Sequence, residues 1–177
     1  WASEDRSPAS NCGGLTPLPA DRPRALAVLA LDKLVVLSLE RGQEGRTLGT
    51  YPFATHYANN LVTPTAVGAD GVLLSSAYNQ KRTVLLMPRD GNLQPRWESR
   101  AFSGVGSPAL HGDRAFFAYK KLMRMKLEDG SVDWQGGSFG PDGSCLVTAD
   151  GYVLAYGSGS LVAARAGADA YRELARL

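Results

Sequence analysis

The chain has 177 residues, 44% of them hydrophobic and 20% charged, with a formal net charge of +2. That is globular composition, neither that of a disordered chain nor of a transmembrane one, with length enough to bury a core. No apolar run of about 18 residues exists, because Ala25–Leu39 is broken by Asp32 and Lys33, so no spanning helix is expected.

The chain opens at Trp1 with neither an initiator Met nor a signal-peptide pattern, as expected of a processed chain or part of a longer one. Residues 1–20 are rich in Ser, Pro and Gly and are expected to be poorly ordered or to belong to a preceding unit, with Trp1 as its closing residue. From residue 21 to 177 the pattern is short apolar strands bounded by turn residues. A first faint unit, 16–61, runs from Thr16-Pro17 through ALAVLALDKLVVLSLERGQ to the polar stretch THYANN. A second, 62–105, holds Thr63-Pro64, an apolar run, a Gly/Asp turn, two strands, Asp90-Gly91 and a closing Trp97. The third, 106–139, repeats that order with Ser107-Pro108, Asp129-Gly130 and Trp134. Within it, Lys121–Trp134 (KLMRMKLEDGSVDW) reads as the inner half of the unit. The fourth, 140–177, gives three short strands around Asp150-Gly151 and ends in ADAYRELARL, whose Ala170, Leu174 and Leu177 also suit one face of a short helix.

Pro64, Gly91 and Trp97 therefore find counterparts in Pro108, Gly130 and Trp134. The spacing shrinks from Pro to Trp, so the earlier copy carries extra residues near Asn79–Arg82. Five Asp-Gly pairs supply hairpin turns, because glycine tolerates the positive φ those turns require. A repeat of about 40 residues with four short strands is propeller-blade arithmetic, and one such meander must stack on its neighbours to bury its faces. A β-sandwich is the competitor, but it does not predict Asp-Gly and Trp recurring in phase.

The stretch SPALHGDRAFFAYKKLMRMKLEDGSVDW resembles the pyrroloquinoline-quinone-like (PQQ-like) β-propeller repeat, and the resemblance extends from about Arg24 to the C-terminus. It implies an all-β propeller of four-stranded blades, about four here, or an incomplete ring. It also implies that Trp97 and Trp134 pack on the neighbouring blade's turn, and that ADAYRELARL is an outer strand. Members of this group are secreted or periplasmic bacterial proteins. Some are quinone-dependent dehydrogenases using quinone with calcium, several with adjacent disulfide-linked cysteines. Others bind no quinone and act as scaffolds or partner-binding modules, as does the lipoprotein that supports outer-membrane protein insertion. An open arc would leave unpaired edges, which invites self-association.

Candidate chemistry is sparse. Cys12 and Cys145 fit neither zinc spacing nor a C-x-x-C pair; a disulfide between them stays open and would suit an oxidising compartment. His111 sits in a turn. His56, Tyr57, Asn59 and Asn60 form the most polar non-turn segment and are the candidate partner-binding loop, with Asn59 and Asn60 alternatively shaping the entry to the next strand. Gly104–Ala109 satisfies G-x-G-x-x-A, but Pro108 precedes a strand, so no helix N-terminus is offered to a phosphate. No G-x-S-x-G and no paired carboxylates are present. Lysines and arginines are scattered, with Lys120-Lys121 densest, and no nucleic-acid partner is expected. The expected function is a non-catalytic scaffold or binding module of an exported bacterial protein. It has a protein or other macromolecule as partner, no transmembrane segment and no cofactor. The alternative is part of a quinone-dependent dehydrogenase completed by other blades.

Overall fold

The computed structural model describes residues 3–5, 14–57 and 59–177. Among them there is no helix; fifteen strands form four antiparallel sheets. The first sheet is β1 (Leu15–Leu18), β2 (Ala25–Leu29), β3 (Lys33–Ser38) and β4 (Thr47–Pro52). The second is β5 (Thr65–Val67), β6 (Gly71–Ser76), β7 (Arg82–Arg89) and β8 (Asn92–Ser99). The third is β9 (Ala109–His111), β10 (Arg114–Lys126) and β11 (Val132–Gly140), and the fourth is β12 (Ser144–Val147), β13 (Tyr152–Gly157), β14 (Ser160–Arg165) and β15 (Glu173–Arg176). Each sheet pairs its strands in chain order, which is the meander of a propeller blade.

The third sheet also has four strands, because β10 folds back on itself. Leu127 N donates to Asp113 O at 3.0 Å. A straight strand would hold those residues about 45 Å apart at roughly 3.3 Å per residue. The reversal falls at Lys120, in the left-handed region with φ 58°. The half before it pairs with β9 and the half after it with β11. Lys121–Trp134 thus spans the outer two strands of its blade, which corrects its reading as the inner half.

Alternation along each strand sends every second side chain to the preceding sheet and the rest to the following one. Val72, Leu74, Val84 and Leu86 pack with Ala27, Leu34, Val36 and Phe53 of the first sheet. Leu73 and Leu85, one position along, pack with Ala115 and Leu127 of the third. Phe116, Leu122 and Phe139 meet Val153, Ala155, Val162 and Ala164 of the fourth.

The innermost strands are stitched by the Thr/Ser-Pro repeat. Thr16 Oγ1 donates to Pro64 O at 2.5 Å and Thr65 Oγ1 to Pro108 O at 3.5 Å. Ser107 Oγ accepts from Thr63 N at 3.0 Å and donates to Thr63 O at 3.1 Å. Thr16 and the buried Leu18 belong to β1, so the first blade begins at the start of the unit 16–61 and takes in the end of the stretch 1–20. Trp1 and Cys12 lie outside the described residues, as does the pairing of Cys12 with Cys145.

The seam roles implied for the two tryptophans are met. Trp97 Nε1 donates to Leu127 O at 2.9 Å, and its ring lies where a Gly130 Cβ would sit, 2.5 Å away. Trp134 Nε1 donates to Ala168 O at 2.8 Å, with the Tyr171 ring 5.9 Å off. At the first seam, which has no Trp, Asn92 Oδ1 accepts from Thr50 N at 2.9 Å and Leu93 fits against Gly49. The segment ending in ADAYRELARL contributes strand β15 rather than a helix.

Candidate partner-binding face

In sequential meanders, the loops between second and third strands emerge on the same side as the links between sheets. This side carries 30–32, 77–81, Lys120-Lys121 and Ser158-Gly159, together with 53–57, 59–64, 100–108 and 141–143. The predicted loop His56–Asn60 therefore lies beside the β6–β7 hairpin. Tyr57 is 60% exposed and its ring meets Tyr78 edge-on at 4.8 Å. His56 is exposed and Asn59 half-buried, its Oδ1 enclosed without a hydrogen-bond partner among the described residues.

Asn60 corrects the sequence reading. It is fully buried and its Nδ2 donates to Ala30 O of the β2–β3 turn, so it cannot touch a partner from this face. Its work is to tie the inter-sheet link to the first blade, side chain to backbone. Asn79 does the same from the second blade: it is fully buried and donates Nδ2 to Phe53 O at 2.5 Å. Phe53 N and Thr55 N bond Asp32 O and Leu31 O, both at 3.1 Å. The link is thus anchored by its backbone, with His56 and Tyr57 left on the outside.

Sequence reasoning missed the polar cluster under this loop. Arg82 lies over the rings of Tyr51 and Phe53, with its guanidinium carbon 5.6 and 5.2 Å from their centroids. Its Nη1 donates to both Glu98 oxygens at 3.2 and 3.3 Å and its Nη2 to Pro52 O at 3.1 Å. Tyr51 Oη donates to Glu98 Oε1 at 2.5 Å. Burial, and then the Glu98 bond, push the Tyr51 phenol up to about 12. The four residues come from β4, the link after it, β7 and β8. Nothing in the local pattern of any one strand announces that they meet.

His111 is exposed at the end of β9, on another blade from His56. Among the described residues no three His, Cys, Asp or Glu side chains converge on a metal position. Burial pushes the Cys145 thiol up to about 12, which suppresses the nucleophilic thiolate.

Pro64, Gly91, Pro108 and Gly130 all stand in the frame: the prolines beside the inner strands, the glycines in outer hairpin turns at φ 75° and 73°. Gly71 and Gly143 lack that positive φ. They answer a close approach instead, since a Cβ would lie 2.6 Å from Val67 O at Gly71 and 3.0 Å from Ala118 O at Gly143.

No family model matches the sequence, and neither does any curated protein. Among solved structures, the chain is similar to the crystal structure of BamB from Moraxella catarrhalis, with a TM-score of 0.69 at 17% identity. The match covers 93% of this chain and 48% of that one, so the chain spans about half the length of that neighbour. At this identity the likeness carries the fold, a β-propeller of which four blades are present here.

Proposed function

We propose that this chain is a non-catalytic β-propeller scaffold of an exported bacterial protein, periplasmic or secreted, that binds a protein partner through its loop-bearing face. One observation carries the reading. The polar side chains beneath that face, fully buried at Asn60 and Asn79 and half-buried at Arg82, hold the loops in shape, while aromatic and cationic side chains stay exposed above them. That is the make-up of a contact surface on a rigid frame. Likeness to BamB supports the propeller frame of this reading, and the scaffold role and exported location extend the resemblance to the PQQ-like repeat. No helix among the described residues is long and apolar enough to cross a membrane.

The test is a photo-crosslinking residue at Tyr57, compared with one at Asp90 on the opposite side, in cells of a bacterium that makes the protein. A discrete protein adduct from Tyr57 and none from Asp90 is expected. Equal labelling from both positions, or none from Tyr57, would sink the assignment of the face.

The dehydrogenase alternative needs quinone with calcium. In that reading the site is completed by other blades; among the described residues no three His, Cys, Asp or Glu side chains converge, and the sequence has no adjacent cysteines. Turnover after reconstitution with quinone and calcium would revive it. Self-association through an open blade face belongs to the scaffold reading.

A further inference from the structure

Two adjoining depressions, of about 720 and 370 Å³, share Arg100 and Phe102 as a common wall and run from the rim of the second blade into the seam with the third. Together they are lined by five cationic side chains, Lys81, Arg82, Arg100, Lys120 and Lys121, against one carboxylate, Glu98. Glu98 is already engaged by Arg82 and Tyr51. No ion pair is made by Lys81, Arg100, Lys120 or Lys121 among the described residues, whereas Arg114, Arg124 and Lys126 of the third blade all converge on Asp133. In a chain of net charge +2, this is a local excess well above the average.

The floor is apolar. The rings of Phe102 and Tyr119 pack at 5.0 Å, tilted by 42°, and Ala101, Met123 and the 38% exposed Val132 continue the surface into the seam. Lys120 Nζ stands 5.6 Å over the Tyr119 ring. Three chain regions supply the cations: the β6–β7 hairpin with the start of β7, the link after β8 and the reversal in β10. All are fixed to packed strands, so the cations are pre-placed rather than carried on a loose tail.

We propose that this trough binds an extended acidic polypeptide segment, its carboxylates on the lysine and arginine rim and an apolar side chain on the Phe102–Met123–Val132 floor. Charge complementarity selects carboxylates, and the concave apolar floor selects a side chain over the flat face of a membrane or a polyphosphate backbone. The inference rests on the macromolecule-binding reading above and narrows it to one surface and one partner chemistry.

Fluorescence anisotropy on the whole chain tests it, with a labelled peptide of alternating Glu and Leu as probe and its Gln/Leu counterpart as control. The Glu peptide is expected to bind and the Gln peptide to bind at least ~10-fold more weakly. Affinity should fall ~10-fold or more as salt rises from about 0.05 to 0.5 M, because the rim charges are exposed and screened. The double variant Lys120→Glu/Lys121→Glu, and independently Arg100→Glu, should each weaken binding by ~10-fold or more, while Arg22→Glu/Arg41→Glu away from the trough leaves it unchanged. All sites are exposed, and unchanged thermal midpoints will show that the variants fold. Equal binding of the two peptides, indifference to the reversals, or binding only to phosphatidylglycerol vesicles or an oligonucleotide would each overturn the proposal. A Tyr57 adduct that survives Arg100→Glu would overturn this trough while leaving the loop-face reading standing.

Discussion

Gly130 shows how much a single residue carries in this fold. Its φ of 73° is strained for any L side chain, and a Cβ there would sit 2.5 Å from the Trp97 ring. Gly91, its counterpart one blade earlier, has φ 75° but open space around it. Gly91→Ala should therefore cost only the backbone penalty, about 1 kcal/mol. Gly130→Ala adds overpacking of the Trp97 seam and should cost about 2–4 kcal/mol. Urea melts of both variants give the comparison, and equal losses would mean that the indole does not press on the turn. A second prediction at this scale concerns alkaline pH. The Tyr51 phenol is raised from 10.0 to about 12 and the Cys145 thiol from 9.0 to about 12, so the fold favours both protonated forms. Their contributions are complete below the unfolded values and are lost as pH climbs from 9 and 10 toward 12. Stability should decline across that window, and Tyr51→Phe should flatten the part above pH 10. Urea midpoints measured at stepped pH decide it; an unchanged slope in Tyr51→Phe would show that another group governs the loss.

Among the strands, β10 with β11 makes the most demanding unit. Asp133 on β11 holds Arg114 Nε at 2.6 Å, Arg124 Nε at 3.4 Å and Lys126 Nζ at 3.7 Å. Arg114, Arg124 and Asp133 are only 19, 14 and 14% exposed, so this carboxylate neutralises cations with little access to water. Asp133→Ala should destabilise by about 2–3 kcal/mol, below the loss for a fully buried pair because Lys126 and part of Arg114 remain wetted. Lys126→Ala should cost under about 1 kcal/mol, and thermal unfolding of the two side by side checks the ranking. The sequence made the skeleton of this unit readable, since Asp129-Gly130, Trp134 and the alternating Met and Leu positions follow local rules. It hid the reversal at Lys120, where neither Gly nor Asn marks the positive φ. It also hid the roles of Asn60 and Arg82, whose partners Ala30, Pro52 and Glu98 lie in other strands and links. The cationic trough was illegible for the same reason: Lys81, Arg100 and Lys120 look scattered along the chain and converge only when two blades are packed.

Across the whole molecule, each of the first three sheets turns one face to its successor. Leu34 and Val36 serve in the first, Leu73, Leu85 and Trp97 in the second, and Phe116, Leu122 and Trp134 in the third. The fourth sheet spends Val153, Ala155, Val162 and Ala164 on its predecessor. Strand register places Leu146, Leu154, Tyr156, Leu161 and Ala163 together on the other face. Leu146, Tyr156 and Leu161 there are 52, 55 and 38% exposed. This is the surface with which the preceding blades bind a following blade, and it has the apolar character of an interface rather than of a solvated face. For the 177-residue chain by itself, a second copy presenting a sheet face of its own is the occupant to test. Light scattering of the 177-residue chain should show mass rising with concentration toward a dimer. Leu161→Glu with Tyr156→Glu should hold it monomeric, since each carboxylate would have to be desolvated at the contact. The trough variants Lys120→Glu/Lys121→Glu lie on another blade and should leave the mass unchanged. A monomer at every concentration, or a dimer indifferent to the two glutamates, would show that copies of this chain do not meet through the fourth sheet.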